Sequence, residues 1–422
     1  MRRTSLAHGF RFHVFISVVT LLLLTVISNA ETESRSIVPE DAVLSQLLVE
    51  ATAANPSLEA LRERLAAAEA RIPQAGSWMD PKLTFGAMNL PTDNLFDLNQ
   101  EPMTGLWINA SQSIPLNRKY ESKRDVAEAM MDATRESVGL KTTTVLETVR
   151  GAWYDWAYLR ESVATVDTTI RLIDELLVIT RTKYETGRGL QSDWLRLQTE
   201  RSRLASQRIQ LEQMARNAGR KVAVFLGREA DALPPPPNGL PVQFTAIDAE
   251  ALSDAANRAP QIRVAEQMVR AGDAKIDLSK QLWIPELMLS GGYGFRQDAD
   301  NGMSRADFVT ISAGMTLPIF GGSKQSMKVQ EAVAEKRSAQ HTLRQAQLDV
   351  GRKVESLLDE DLRHSEQIQL YNEGVLPQAG AALSSTLSDY SVGRVGVEAL
   401  VSSERDLINY RLQRLMHLRD RA

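Results

Sequence analysis

The chain has 422 residues, no cysteine, and 49 Lys and Arg against 53 Asp and Glu, for a formal charge of −4. The absence of cysteine excludes disulfides and thiolate metal sites. The acidic balance speaks against a nucleic-acid partner, which needs clustered Lys and Arg. A high share of Ala, Glu, Arg, Leu and Gln favours long helices over a compact α/β enzyme.

Residues 1–30 read as a secretory signal. Arg2, Arg3 and Arg11 form a basic start, an apolar stretch runs from Val14 to Ile27, and Ser28-Asn29-Ala30 supplies the small residues of a cleavage site. Its three arginines and lack of acidic residues mean that removal takes the charge from −4 to −7. The stretch is shorter than the ~18–20 residues a spanning helix needs, and no later segment approaches that length. No Cys follows the cleavage site, which excludes a lipid anchor there.

The remainder reads as a duplication. The first repeat, 31–233, holds a helix, a strand hairpin over 81–115, a long helix over 119–185, a turn at 186–192 and a helix over 193–227. A stiff Pro-rich linker occupies 234–243, with Pro234 to Pro237 at its start. The second repeat, 244–422, holds a helix, a hairpin over 285–318, a long helix over 325–390, a turn at 391–397 and a helix over 398–420. A constant offset lays Asn55-Pro56 on Ala259-Pro260 and Asp80-Pro81 on Ile284-Pro285. Nearly the same offset lays Ile114-Pro115-Leu116 on Leu317-Pro318-Ile319, and Tyr184, Gly187 and Arg188 on Tyr390, Gly393 and Arg394. Landmarks recurring in one order are the mark of a repeat architecture.

The hairpins alternate with period two. Leu83, Phe85 and Ala87 mark one strand, Leu106, Ile108 and Ala110 the next, and Leu287, Leu289, Gly291, Tyr293 and Phe295 a third. In the fourth, Val309, Ile311, Ala313, Met315 and Leu317 alternate with Thr310, Ser312, Gly314 and Thr316. At roughly 9–11 residues, each strand has the length of a tilted membrane-spanning strand. From Lys119 to Tyr184 no proline interrupts the chain, so a helix there would reach ~100 Å. Its seam of Val145, Val149, Ala152, Trp156, Leu159, Val163, Val166, Ile170, Ile173 and Leu177 steps alternately by four and three residues. That 3.5-residue repeat belongs to a left-handed coiled coil. The corresponding second-half helix has a poorer seam, and Pro377 should kink it.

Four amphipathic strands cannot cross a bilayer as an open sheet, because its two edges would leave backbone groups unpaired. Closure needs further copies of the chain. Two copies would give a barrel filled by side chains, and three a wider one with a lumen, which Thr310, Ser312 and Thr316 would line.

The duplicated frame, Asn55-Pro56, the strand-closing Gln112-Ser113-Ile114-Pro115, and Tyr390-Ser391-Val392-Gly393 together resemble the TolC family of outer-membrane efflux proteins. The resemblance covers essentially the whole mature chain. It implies a mixed α and β membrane fold, with four strands per protomer in a twelve-strand trimeric barrel continued by a long α-helical periplasmic tunnel. It implies a homotrimer in outer-membrane lipid, a periplasmic membrane-fusion adaptor, and an inner-membrane pump, favoured to be RND type. No cofactor is implied.

By the same resemblance the turns at Gly187, Arg188, Gly393 and Arg394 are adaptor-docking tips. Asp193 and Tyr390 match the gate aspartate and tyrosine, so a hydrogen bond is expected between them. The gate arginine of the family would fall on Val395, with Arg394 one residue early, and the family's acidic ring meets Ala399 and Ser402. Glu398 is left to supply charge. Met88 and Met103 are candidate soft-metal ligands among the hairpin methionines, since thioether suits Cu(I) or Ag(I), and the segment around them resembles copper- and silver-pump members; the plainer reading is apolar surface. Gly321-Gly322-Ser323-Lys324 lacks the spacing of a phosphate loop. His341, His364 and His417 are too scattered in sequence for a ligand set. The function expected is a passive exit duct for metal cations or small toxic organics. The alternatives are an exit duct of a type I protein secretion system and, in another class, a periplasmic coiled-coil adaptor.

Overall fold

The computed structural model describes residues 42–92, 98, 102–245, 247–299 and 301–422. The expected secretory signal lies outside them. The chain runs α1 (Ala42–Ala54), α2 (Pro56–Gly76), β1 (Lys82–Met88), β2 (Gly105–Pro115), α3 (Lys119–Glu185) and α4 (Gln191–Phe225). A second round follows as α5 (Ala249–Asn257), α6 (Pro260–Gln281), β3 (Glu286–Phe295), β4 (Phe308–Met315) and α7 (Gln325–Leu370). A π-helical turn (Tyr371–Val375), α8 (Leu376–Ser391) and α9 (Val397–Arg421) complete it.

The single helix expected before each hairpin is two helices. Pro56 and Pro260 have no N–H to give and bar the preceding residue from helical geometry, so each opens a new helix. Asn55 adds a cap. Its Oδ1 accepts the Ser57 and Leu58 N–H groups at 3.0 and 3.3 Å, while its Nδ2 donates to the Phe225 carbonyl at 2.8 Å. One buried side chain thus joins the start of the repeat to its end. The long helix expected over 325–390 is also interrupted. The π turn stands just ahead of Pro377, whose ring crowds the Glu373 carbonyl and cannot bond it; a widened turn absorbs the mismatch.

The strands form one antiparallel sheet in the order β1-β2-β3-β4. They have 7, 11, 10 and 8 residues, so β1 and β4, at the edges, are shorter than the period-two reading suggested. The register sorts the side chains onto two chemically different faces. One face carries Phe85, Ile108, Tyr293 and Val309 in a row, then Leu83, Ala110, Gly291 and Ile311. The other carries Thr84, Asn109, Gly292 and Thr310, then Lys82, Ser111, Ser290 and Ser312. Phe85 and Ile311 are 80% and 85% exposed in the single chain, an apolar surface with no protein partner.

Each strand passes into a helix, and the helices keep the order of the strands. α2 enters β1, α3 leaves β2, α6 enters β3 and α7 leaves β4, and α2, α3, α6 and α7 pack side by side in that sequence. Ion pairs stitch the wall, with Arg263–Glu136 at 3.0 Å, Lys275–Glu335 at 2.7 Å and Lys336–Asp273 at 2.6 Å. Wet pairs of this kind add little stability. Farther from the sheet, α3 packs against α1, α4 and α9 around a core that includes Leu44, Leu58, Val149, Trp153, Leu226 and Leu418.

The α3 seam is buried at Val145, Val149, Ala152, Trp156, Leu159, Val166 and Ile173. At Val163, Ile170 and Leu177 it is only half-buried, because Ser162, Thr169, Leu176 and Thr180 form a second buried stripe beside it. Two of the histidines scattered in sequence, His364 and His417, meet in space as a pair. Arg363 Nη2 lies 2.9 Å from His364 Nε2, and His364 Nδ1 lies 3.1 Å from His417 Nδ1. Arginine can only donate, so His364 carries its proton on Nδ1 and gives it to His417. Burial holds both rings below the ordinary histidine range.

The two stripes make a test. Val166→Asp buries an unpaired charge at a position with no exposure and should lower stability by ~2–5 kcal/mol. Val163→Asp, half-buried, should cost clearly less. Equal melting temperatures for the two variants would refute the assignment of Val163 to the less buried side of α3.

Candidate functional site: the paired helical tips

α3 and α8 end the same way. Arg188 N–H reaches the Lys183 carbonyl at 2.8 Å and Gly187 N–H the Tyr184 carbonyl at 2.9 Å; Arg394 reaches Asp389 at 2.8 Å and Gly393 reaches Tyr390 at 3.2 Å. Both are Schellman stops, which require a left-handed residue, and Gly187 and Gly393 supply it at φ +69° and +78°. α4 and α9 then return at Gln191 and Val397.

The two tips are packed on each other through Ile173, Leu176, Leu197, Val397 and Leu400, with Tyr390 among them. Equivalent tyrosines therefore differ in surroundings, Tyr184 being 42% exposed and Tyr390 6%. The Tyr390 hydroxyl pairs with Thr180 Oγ1 at 2.8 Å and not with Asp193. Burial, with the Asp193 charge nearby, pushes the Tyr390 phenol up, against the Thr180 bond. Asp193 lies on the first turn of α4, the returning helix, whereas Thr180 of α3 meets Tyr390 of α8.

Lys183, which sequence reasoning missed, is the larger polar tie. Its Nζ donates to the carbonyls of Tyr390 and Ser391 at 2.8 and 3.3 Å and sits 4.2 Å from the centre of the Tyr390 ring. Glu398 does meet a cation, Arg196 of α4 at 2.8 Å, in an exposed pair. A basic residue on the second turn of α4 and an acidic one on the first turn of α9 were the signal for it. Arg394 pairs within its own turn with Asp389 at 3.5 Å.

Behind these ties lie two buried carboxylates. Glu200 of α4 accepts from Arg203 at 2.8 and 2.5 Å and from Arg405 of α9 at 2.9 and 2.5 Å. Burial raises its pKa, and the bonds from Arg405 and Arg203 outweigh that and leave it below the usual range. Glu404 is 2% exposed and neither of its carboxylate oxygens has a hydrogen-bond partner among the described residues. Burial first, and then the charge on Glu200, pushes it up to about 7.

The other candidate residues lie at the sheet. Thr310 and Ser312 share its polar face, and Thr316 falls one residue beyond β4, with its N–H on the Glu286 carbonyl at 3.2 Å. Met88 and Met103 lie at one end of the first hairpin; Met79, Met288 and Met315 lie toward the other. Among the described residues no group of three or more His, Cys, Asp or Glu is placed to hold a metal ion.

The sequence matches the outer membrane efflux protein family over residues 47–228 and 251–420, one segment in each repeat. The chain belongs to that family. The family's function makes it an outer-membrane exit duct for efflux, with its helices forming a periplasmic tunnel. It is 22% identical over 387 residues to the pyoverdine export outer membrane protein OpmQ of Pseudomonas putida, covering 86% of this chain and 80% of that protein. A membrane protein from Pseudomonas aeruginosa shares the fold at a TM-score of 0.77 and 17% identity, over 92% of this chain and 93% of that one. The outer membrane protein VceC of Vibrio cholerae does so at 0.71 and 16%, over 90% and 95%.

Glu404 gives this efflux protein a pH signature. Its folded pKa lies above the ordinary 4.5, so its own contribution to stability is fully present below about pH 4.5 and is lost as pH rises through about 7. Glu404→Gln should abolish that decline and stabilise the protein at pH 8 by roughly 3 kcal/mol. Thermal unfolding from pH 4 to 9 reads this, and wild-type and variant curves that superimpose would contradict it.

Proposed function

We propose that three copies of this chain close a twelve-strand barrel and carry substrates passively from a pump to the exterior. The observation that carries this reading is the two-faced sheet with open edges at β1 and β4. In hydrocarbon the unpaired N–H and C=O groups of those edges cost several kcal/mol each, and pairing β4 of one copy with β1 of the next removes them. The apolar face then meets lipid and the face of Thr310 and Ser312 meets water. Three copies, unlike two, leave a lumen.

The tips are the proposed docking surface for a periplasmic membrane-fusion adaptor joined to an RND-type inner-membrane pump. Gly187, Arg188, Gly393 and Arg394 present exposed turns at the end of the tunnel. Cargo is small toxic organics or metal cations; the name of the relative OpmQ adds exported pyoverdine as a further candidate. The split of the methionines between the two ends of the sheet favours their reading as apolar surface over a metal relay.

We assign closure of the tunnel to the ties between α3 and α8, with Tyr390 as their hub, Asp193 acting on it only through charge, and Arg196–Glu398 as a weak outer clasp. The Thr180–Tyr390 bond is worth ~0.5–1.5 kcal/mol and the charged Lys183 contacts ~1.5–3 kcal/mol. In planar bilayers, Lys183→Met trimers should open more often than Tyr390→Phe trimers, and Thr180→Val with Tyr390→Phe should be no worse than either alone. Unchanged conductance in Lys183→Met would dismiss this gate.

Docking has its own test. Deleting the gene should sensitise cells to a toxic substrate, and Gly187→Pro or Gly393→Pro should reproduce that loss with trimers at normal level in the outer membrane. Full resistance in both variants would count against the tips.

A further inference from the structure

At the foot of the sheet, β4 gives way to a tight turn and then to α7. Ser323 and Lys324 both direct their N–H groups at the Phe320 carbonyl, at 3.1 and 2.9 Å, and Ser326 N–H takes the Gly321 carbonyl at 2.9 Å. α7 starts at Gln325 with no side chain capping it. A cavity of ≈ 370 Å³ lies between this turn, the end of α6 and the start of α3.

Three independent features of this cavity point to one kind of occupant. The first is charge. Of its lining lysines, Lys119 is matched by Glu286 and Lys328 by Glu331, whereas Lys324 has no ion pair among the described residues. One positive charge is left over, beside the positive end of α7. The second is an orphan acceptor. Gln325 lines the cavity at 9% exposure, and its Oε1 has no donor among the described residues. A buried amide oxygen without a partner is rare and calls for an N–H or O–H from outside the chain. The third is the rim. Ile319 and Phe320, which line the cavity, and Trp283, whose ring lies against Gly321, are 76%, 67% and 45% exposed, in the manner of residues at the boundary of hydrocarbon and water.

We propose that this cavity binds the headgroup of a glycerophospholipid from the periplasmic leaflet of the membrane. A phosphodiester carries the one negative charge that Lys324 lacks, a headgroup ammonium or hydroxyl supplies the donor for Gln325, and the acyl chains run along Ile319, Phe320 and the apolar sheet face. Free phosphate satisfies the lysine and leaves the apolar rim bare. The inference rests on the proposed insertion of the sheet with its apolar face toward lipid.

The experiment uses purified, delipidated trimers incubated with palmitoyl-oleoyl phosphatidylethanolamine or phosphatidylglycerol and weighed by native mass spectrometry. One lipid should be retained per protomer. Lys324→Glu and Gln325→Leu should each lower occupancy about tenfold, while Lys353→Glu, farther along α7, should not. Should Lys324→Glu fail to assemble, Lys324→Gln removes the same charge more gently. Conducting trimers that retain no lipid, equal retention by the variants, or displacement by excess inorganic phosphate each overturn the site. Failure of the duct reading would show differently, as absent trimers or absent conductance.

Discussion

The fold hangs on a single uninterrupted helix. α3 runs 67 residues from the sheet to the tip, and along that length it touches α2 and α6, then α1, then α4 and α9. It can do so because no proline or turn cluster breaks it and because its buried positions come in two stripes rather than one. A helix with one seam pairs with one partner; a helix with two holds a wall together. α7 and α8 have the corresponding place in the second repeat and lack that continuity, since the π turn before Pro377 divides them.

Much of this was legible in the residues. The duplication, the alternation of the strands, the 3.5-residue seam and the two Tyr-x-x-Gly-Arg turns are local patterns with fixed periods, and sequence displays periods directly. What escaped was non-local or depended on a single backbone choice. The splitting of the first helix at Pro56 follows a known rule that was outweighed by the apparent helical run around it. The contact between His364 and His417 joins residues on two helices, and nothing in either neighbourhood announces the other. Val163 keeps the heptad beat yet lies off the buried face, because the second stripe rotates the burial toward Ser162.

The candidate site shows the same division. The turns themselves could be read from Gly187 and Gly393, since positive φ has few alternatives. The partner of Tyr390 could not, because choosing between Asp193 and Thr180 needs the stagger of α3 against α8. The duplication conserved the backbone stop and let the side chains diverge. Tyr184 stands at the surface while Tyr390 is enclosed and held by Lys183 and Thr180, so the two tips of one protomer are alike in path and unlike in attachment.

The two faces of the sheet bear on how the protein is made. The helical part has an apolar core that it can assemble in water, from Leu44 and Trp153 near its middle to Leu197 and Leu400 near the tip. The sheet has none, and Phe85, Val309 and Ile311 stand bare on one side of it. With that face toward lipid, as proposed, the same polypeptide completes its folding in two solvents. On the proposed insertion of the sheet, biogenesis is ordered by that requirement: the tunnel is the part that can form during transit through the periplasm, and the strands are the part that waits for the bilayer.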